Sequence, residues 1–345
     1  MKRPANGSAI VARLLESAEP SIRYKIRTSV LGESEKSKSI QELRQEIRGS
    51  ARVRSLLQRQ DRKTGGIRCF DHLYDKWQGT HWILASLADL GYPAGDRTLH
   101  AARDQVLDHW LGPKFFTEFD ARGKADVYNS EGGVPRIDGR FRRCGSQQGN
   151  ALWSIEKLGI ADRRSEKLVE RLLHWQWPDG GWNCDKNASA DTSSFMETLI
   201  PMRALALYGR THKHRRARDA ARRAAEVFLQ RRLFRRRSDG TVIHPEFVAL
   251  HYPLYWHYDF LAGLKVLAEM DLLGDTRCDE ALNLLESKRL PDGSWPATRR
   301  CYSVSSKQKH GADFVDWGGT GSCKTNEWIT ADALFVLHRA GRLES

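Results

Sequence analysis

The sequence has no run of about 18 apolar residues, so no segment reads as a helix that crosses a bilayer. No Ser/Gly/Pro-rich linker divides its 345 residues, and a single domain over 1–345 is expected, with N-terminal helices in 1–35 packed on repeat helices in 36–345. Cysteine is sparse and unpaired in spacing. Cys69, Cys144, Cys184, Cys278, Cys301 and Cys323 show neither the zinc-finger nor the redox pattern, and reduced thiols are expected. Met1-Lys2-Arg3 carries the charge of a secretion signal but no long apolar region follows it, which makes the cytoplasm the expected compartment. No convincing run of alternating residues reads as a strand, so the expected class is all-α.

What is present is an ordinary globular composition, 40% hydrophobic and 29% charged, with a formal charge of +13. Much of that charge lies between Arg210 and Arg237, where alanines and Val227, Phe228 and Leu229 alternate with arginines as in an amphipathic helix. A basic face can attract an anionic partner. Stacking aromatics do not interleave with these arginines, so sequence-specific nucleic-acid binding is not expected.

The stretch Gln176-Trp177-Pro178-Asp179-Gly180-Gly181-Trp182-Asn183-Cys184-Asp185 joins two segments of helical period. Pro178 stops the first, Asp179-Gly180-Gly181 supplies a turn, and Ser194 with Glu197 stands at capping-box spacing before the second. A weaker copy follows at Lys288-Arg289-Leu290-Pro291-Asp292-Gly293-Ser294-Trp295, with Ser287 or Lys288 in the place of the glutamine. A relic without its aromatic precedes them at Gln60 to Ile67. Recurrence of one turn between helices marks a repeat architecture. Segments ending at Leu90-Gly91, Leu158-Gly159, Tyr208-Gly209, Leu273-Gly274 and Ala340-Gly341 are each more apolar than the helix after them. Alternating buried and half-solvated helices predict an α/α toroid of inner and outer helices. Gly112 to Gly139 has no strong period and is expected to be a long loop over one face.

Gln176, Gly180 and Trp182 sit at the spacing of the glutamine-tryptophan motif of squalene and oxidosqualene cyclases. With the helix pattern, the chain resembles the prenyltransferase and squalene-cyclase repeat superfamily over roughly residues 55 to 342. The resemblance implies a helical ring around an aromatic-lined cavity that holds an isoprenoid, and a lipophilic partner such as a prenyl diphosphate. The Asp-x-Asp-Asp motif of class II terpene cyclases does not occur. Nor does the aspartate-x-cysteine zinc motif of protein prenyltransferase β-subunits, since the order here is Asn183-Cys184-Asp185.

If inner helices begin at the cavity mouth, the residues around their first turns are the site candidates. As catalytic groups these are His81, Glu197, His257, Asp259, Asp316 and Glu327. As substrate contacts they are Trp77, Trp82, Trp182, Tyr255, Trp256, Tyr258 and Trp328. Aromatic faces hold a polyprenyl chain and stabilise a carbocation, while His257 and Asp259 suit acid-base work. Cys144, Cys184, His251, His257 and Cys323 form a zinc site only if the fold gathers them, and no metal is assigned from spacing. The sequence names no cofactor and no oligomeric state. Two other readings stand beside the enzyme: a toroid that binds a lipophilic ligand or peptide without turnover, and a scaffold whose basic face meets an anionic partner.

Overall fold

Residues 7–343 are described by the computed structural model. The basic N-terminal segment read against a secretion signal falls largely outside them. About the first third of the chain forms α1 (Gly7–Leu15), α2 (Pro20–Lys25), α3 (Lys38–Arg48), α4 (Ala51–Leu56), α5 (Thr80–Leu90) and α6 (His100–Trp110). Then come α7 (Pro113–Phe116), α8 (Lys124–Tyr128), α9 (Gly145–Lys157), α10 (Arg164–Trp175), α11 (Phe195–Thr211), α12 (Arg215–Leu229), α13 (Phe260–Glu269), α14 (Asp279–Ser287) and α15 (Glu327–Arg339). Helix dominates, as the periodicity predicts.

Local chemistry explains most boundaries. Ser37 and Ser50 cap α3 and α4 by accepting from Ile40 N and Val53 N, so the expected 39–60 helix breaks at Gly49-Ser50. Gly91 ends α5 in the left-handed region at φ 83°, where a glycine pays no Cβ penalty. Gly209, expected to be a stop, lies inside α11 instead. A Cβ there would meet the Arg218 backbone N at 2.9 Å, so this glycine serves a close helix approach.

Three expectations need correction. The segment 112–139 is not a featureless loop: it contains α7, α8 and the strands β1 (Glu118–Asp120) and β2 (Val134–Ile137), which pair in parallel, with β3 (Arg140–Phe141) antiparallel to β2. Glu118 ties this small sheet to α10 by accepting from Trp175 Nε1 at 2.8 Å and Arg171 Nη1 at 2.7 Å. The expected helix from Tyr255 to about Leu273 shrinks to α13, because Asp259 Oδ1 accepts from Ala262 N at 2.9 Å and starts the helix there. The freed stretch 251–258 wraps as irregular chain, with Tyr255 at φ 52°. Finally, Ser194 and Glu197 make no capping box: Ser194 has no side-chain cap bond, and Glu197 points into the protein at 2% exposure.

One contiguous apolar core runs from Ile10 to Leu337. Burial differs by helix. On α5 and α9 nearly every position is buried, whereas α10 buries only Ser165 and the stripe Leu168, Val169, Leu172 and Trp175. The first set is therefore wrapped on all sides and the second has one face on the core.

The two Pro-Asp-Gly turns carry the same bonds. Trp182 Nε1 donates to Leu172 O at 3.0 Å, and Trp295 Nε1 to Leu285 O at 2.8 Å. Thr198 Oγ1 accepts from Trp182 N at 3.1 Å, and Thr330 Oγ1 from Trp295 N at 3.0 Å. Each indole thus seals one carbonyl left open in the last turn of a one-faced helix, while the tryptophan backbone N–H ties the turn to the start of the next buried helix. Gln176 Nε2 donates to Gly180 O at 2.7 Å and Ala220 O at 2.8 Å, which adds α12 to the joint. In the second turn Arg289, not Ser287 or Lys288, occupies the glutamine position, with Nε donating to Gly293 O at 3.2 Å. Gln60 makes comparable contacts in the first turn, reaching Gly65 O and Thr98 O.

Candidate functional site

Side chains from α5, α9, α11, α13 and α15 all border one cavity of about 150 Å³. Its wall holds Trp82, Trp153, Tyr252, Tyr255 and Trp317, together with His251, His257 and Asp259. The irregular stretch after Leu250 supplies four of these.

Of the residues expected to form the site, Trp82, Tyr255, His257 and Asp259 border this cavity. Trp77 stacks on Tyr255 with ring centres 4.4 Å apart and meets Trp82 edge-on at 4.7 Å. His81 stands one layer back. Trp110 Nε1 donates to its Nδ1 at 3.0 Å, and its Nε2 lies 3.0 Å from Asn150 Nδ2. Burial pushes the His81 pKa down to about 3, so this imidazole is a neutral structural link. Burial also lowers His257.

The remaining candidates lie elsewhere. Trp182 is at 1% exposure in the joint described above. Tyr258 donates to Leu233 O at 2.7 Å and packs against Phe195, Phe228 and Phe247. Asp316 is exposed and accepts from Gly318 N within its own turn. Glu327 accepts from Ser17 Oγ at 2.8 Å, and Trp328 stacks on Tyr252 beneath Lys25 and Arg52. Glu197 and Trp256 belong to a separate group. Trp256 Nε1 donates to Glu197 Oε1 at 2.9 Å, and Ser146 donates to Oε2 from N at 3.1 Å and from Oγ at 2.7 Å. The Cys184 thiol donates to the same carboxylate at 3.7 Å, and the adjacent Cys144 thiol together with burial pushes the Cys184 pKa up.

Two groups were not singled out as acids from the sequence. Asp313 is at 1% exposure behind the ring wall, where Trp317 Nε1 donates to its Oδ2 at 2.6 Å and Val315 N to Oδ1 at 3.1 Å. Tyr255 Oη lies against the same Oδ2. Burial raises the Asp313 pKa in spite of these partners. Asp313 and Asp316 share one short segment, and sequence alone favours the one before a Gly-rich turn. The buried one is three residues earlier. His251 is the second. Its Nε2 lies 2.8 Å from Glu246 Oε2 and its Nδ1 3.3 Å from Asp259 Oδ2. Burial opposes a charge there, yet the bonds and charges of Asp259 and Glu246 outweigh it and raise the pKa.

The other end of the cavity is ionic. Asp89 and Asp332 border it together with Lys265 and Arg203. Lys265 Nζ reaches Asp332 at 2.8 Å and Asp89 at 3.3 Å, Lys25 of α2 reaches Asp89 at 2.8 Å, and Arg203 holds Glu269 at 2.6 Å. Three cations meet three carboxylates, so the group is neutral in sum. Burial would raise Asp89, but Lys25 and Lys265 hold it well below the usual carboxylate range.

The arginine-rich stretch 210–237, helical mainly over α12, is partly spent on structure. Arg223 donates to Gln176 Oε1, Arg235 pairs with Glu280, and Arg231 caps Val227 O. Among the described residues no helix is long and apolar enough to cross a membrane.

No protein-family profile matches the chain, and no curated protein is significantly similar to it. Solved structures of the type II terpene cyclase MstE from Scytonema are similar at a TM-score of 0.44. One, with the product merosterolic acid A, is 15% identical, and one, with the substrate geranylgeranyl dihydroxybenzoate, is 16% identical. Each alignment covers 98% of this chain and 96% of the other. At that score the likeness identifies neither fold nor activity, and the reading below rests on the residues themselves.

Proposed function

We propose that the chain is an α/α toroid, one domain built of repeat helices, whose inner helices hold an isoprenoid in the aromatic cavity and begin its cyclisation with a proton from Asp313. The observation that carries this reading is a buried carboxyl with a raised pKa, in contact with two rings of the cavity wall, Tyr255 and Trp317. A carboxyl whose burial favours the protonated form, set against an apolar space, is what alkene protonation requires.

The step balances as follows. The Asp313 O–H bond breaks and its proton passes to Tyr255 Oη, while the proton already on that hydroxyl moves to the alkene, whose π pair forms the new C–H bond. Trp317 Nε1 and Val315 N stabilise the carboxylate that forms. The carbocation left on the neighbouring carbon faces Trp82, Trp317 and Tyr255, whose π faces are worth about 2 kcal/mol each to a desolvated cation. Loss of a proton to water ends the sequence, and solvent returns one to Asp313.

The test is product analysis after incubation with linear prenyl alcohols, prenyl diphosphates and squalene. Wild type is expected to form a cyclic product from at least one. Asp313→Asn is expected to lose about 10²–10⁴-fold in rate with ligand affinity retained. A wild type that binds prenyl compounds without converting any of them favours the non-catalytic binder and removes the enzyme from the account.

A further inference from the structure

We propose that Cys144, Cys184 and Glu197 form a binding site for one zinc ion, with a fourth coordination position left for water or a substrate group. The site is separate from the acid of the preceding reading, and its test reads metal rather than turnover.

The three residues come from far apart in the sequence. Cys144 directly precedes α9, Cys184 follows the first Pro-Asp-Gly turn, and Glu197 lies in the first turn of α11. Their ligand atoms all lie within 4.8 Å of one another. In a tetrahedral site with zinc bonds of about 2.3 Å to sulfur and about 2.0–2.2 Å to oxygen, ligand atoms stand about 3.6 Å apart. Cys184 Sγ and Glu197 Oε1 stand 3.7 Å apart. The two distances to Cys144 are each within 4.8 Å, so modest closure completes the geometry.

The surroundings are those of a held ligand set. Glu197 is fixed by Trp256 Nε1 and by the N and Oγ of Ser146, the kind of outer bonding that orients a metal-binding carboxylate. Glu197 is buried at 2% exposure, and Arg143 acts on it through charge without a direct ion pair among the described residues. Arg143 is buried beside the group and makes no ion pair among the described residues, with only Gln147 Oε1 at 2.6 Å and Gln148 Oε1 at 3.3 Å as acceptors. A divalent cation with two thiolates and one carboxylate carries one net negative charge. Arg143, whose charge already interacts with Glu197, then balances it, so the buried group stays neutral when the metal is bound. Each thiol releases its proton to solvent as the metal binds. Three protein ligands with one open position is the arrangement of catalytic rather than structural zinc. The order Asn183-Cys184-Asp185 defeats a local motif, but the third ligand is Glu197 and not an acid beside the cysteine.

The experiment treats the full-length protein with chelator, then titrates zinc, with stoichiometry read by mass spectrometry, and cobalt, read by its thiolate charge-transfer absorption. One equivalent is expected, with the cobalt band lost in Cys144→Ser and Cys184→Ser and kept in Cys69→Ser and Cys301→Ser. Ser146→Ala, which leaves all three ligands in place, is expected to weaken binding about 10–100-fold. Circular dichroism confirms that each variant is folded. Binding that survives loss of either cysteine overturns the site, as does failure to bind metal with a Cys144–Cys184 disulfide formed instead.

Discussion

At the scale of single residues, burial decides roles that residue type alone leaves open. Asp313 and Asp316 are chemically alike, but one lies at 1% exposure behind two rings and the other caps an exposed turn. Asp316→Asn is therefore expected to change turnover by less than about 3-fold, where Asp313→Asn removes most of it. His251 gives a pH signature. Its pKa is raised on folding by Asp259 and Glu246 against the opposing effect of burial, so its contribution to stability is complete below the unfolded value near 6.5. That contribution fades as pH climbs through the folded value. The gap in melting temperature between wild type and His251→Gln should be widest in mild acid and narrow steadily into the alkaline range. A gap that widens with pH would contradict the assignment.

At the scale of elements, the turn after Gln176 was readable because prolines and glycines act locally. Its work was not readable in the same way. Trp182 was expected among substrate contacts, yet the structure spends the indole on Leu172 O, and Trp295 does the same at Leu285 O. The 10-residue step back to the carbonyl is the same in both. Trp182→Phe and Trp295→Phe remove one buried donor each and are expected to cost similar amounts, about 1–3 kcal/mol, in urea denaturation. A large cost at one and none at the other would break the equivalence of the two turns. Glu197 shows the converse failure. Its spacing from Ser194 matched a capping box, and nothing in a linear pattern announces that Ser146, Trp256 and Cys184 arrive from elsewhere to hold it.

At the scale of the whole molecule, helix content and the contrast between fully buried and one-faced helices were legible, since both follow from period and composition. The cavity wall was legible only in part. Trp82, Tyr255, His257 and Asp259 were expected there, whereas Trp153, Tyr252, His251 and Trp317 depend on how five helices and an irregular segment meet. Closure of the far end by Lys25, Lys265, Arg203, Asp89, Asp332 and Glu269 is likewise a property of the assembled chain. Because its charges cancel, removing one cation strands a carboxylate, and Lys265→Met is expected to cost about 3–5 kcal/mol in stability. Little change on that substitution would mean the group is hydrated rather than a buried plug.

The central claim is that the aromatic space bordered by α5, α9, α11, α13 and α15 holds an isoprenoid. The most direct measurement is titration of intrinsic tryptophan fluorescence with prenyl compounds of increasing length, in wild type and in Ala262→Phe, whose new ring fills the cavity. The account predicts saturable, length-dependent quenching in wild type, and at least a 10-fold loss of affinity in a variant that melts at nearly the same temperature. An identical response from the filled variant, or none from wild type, would contradict it.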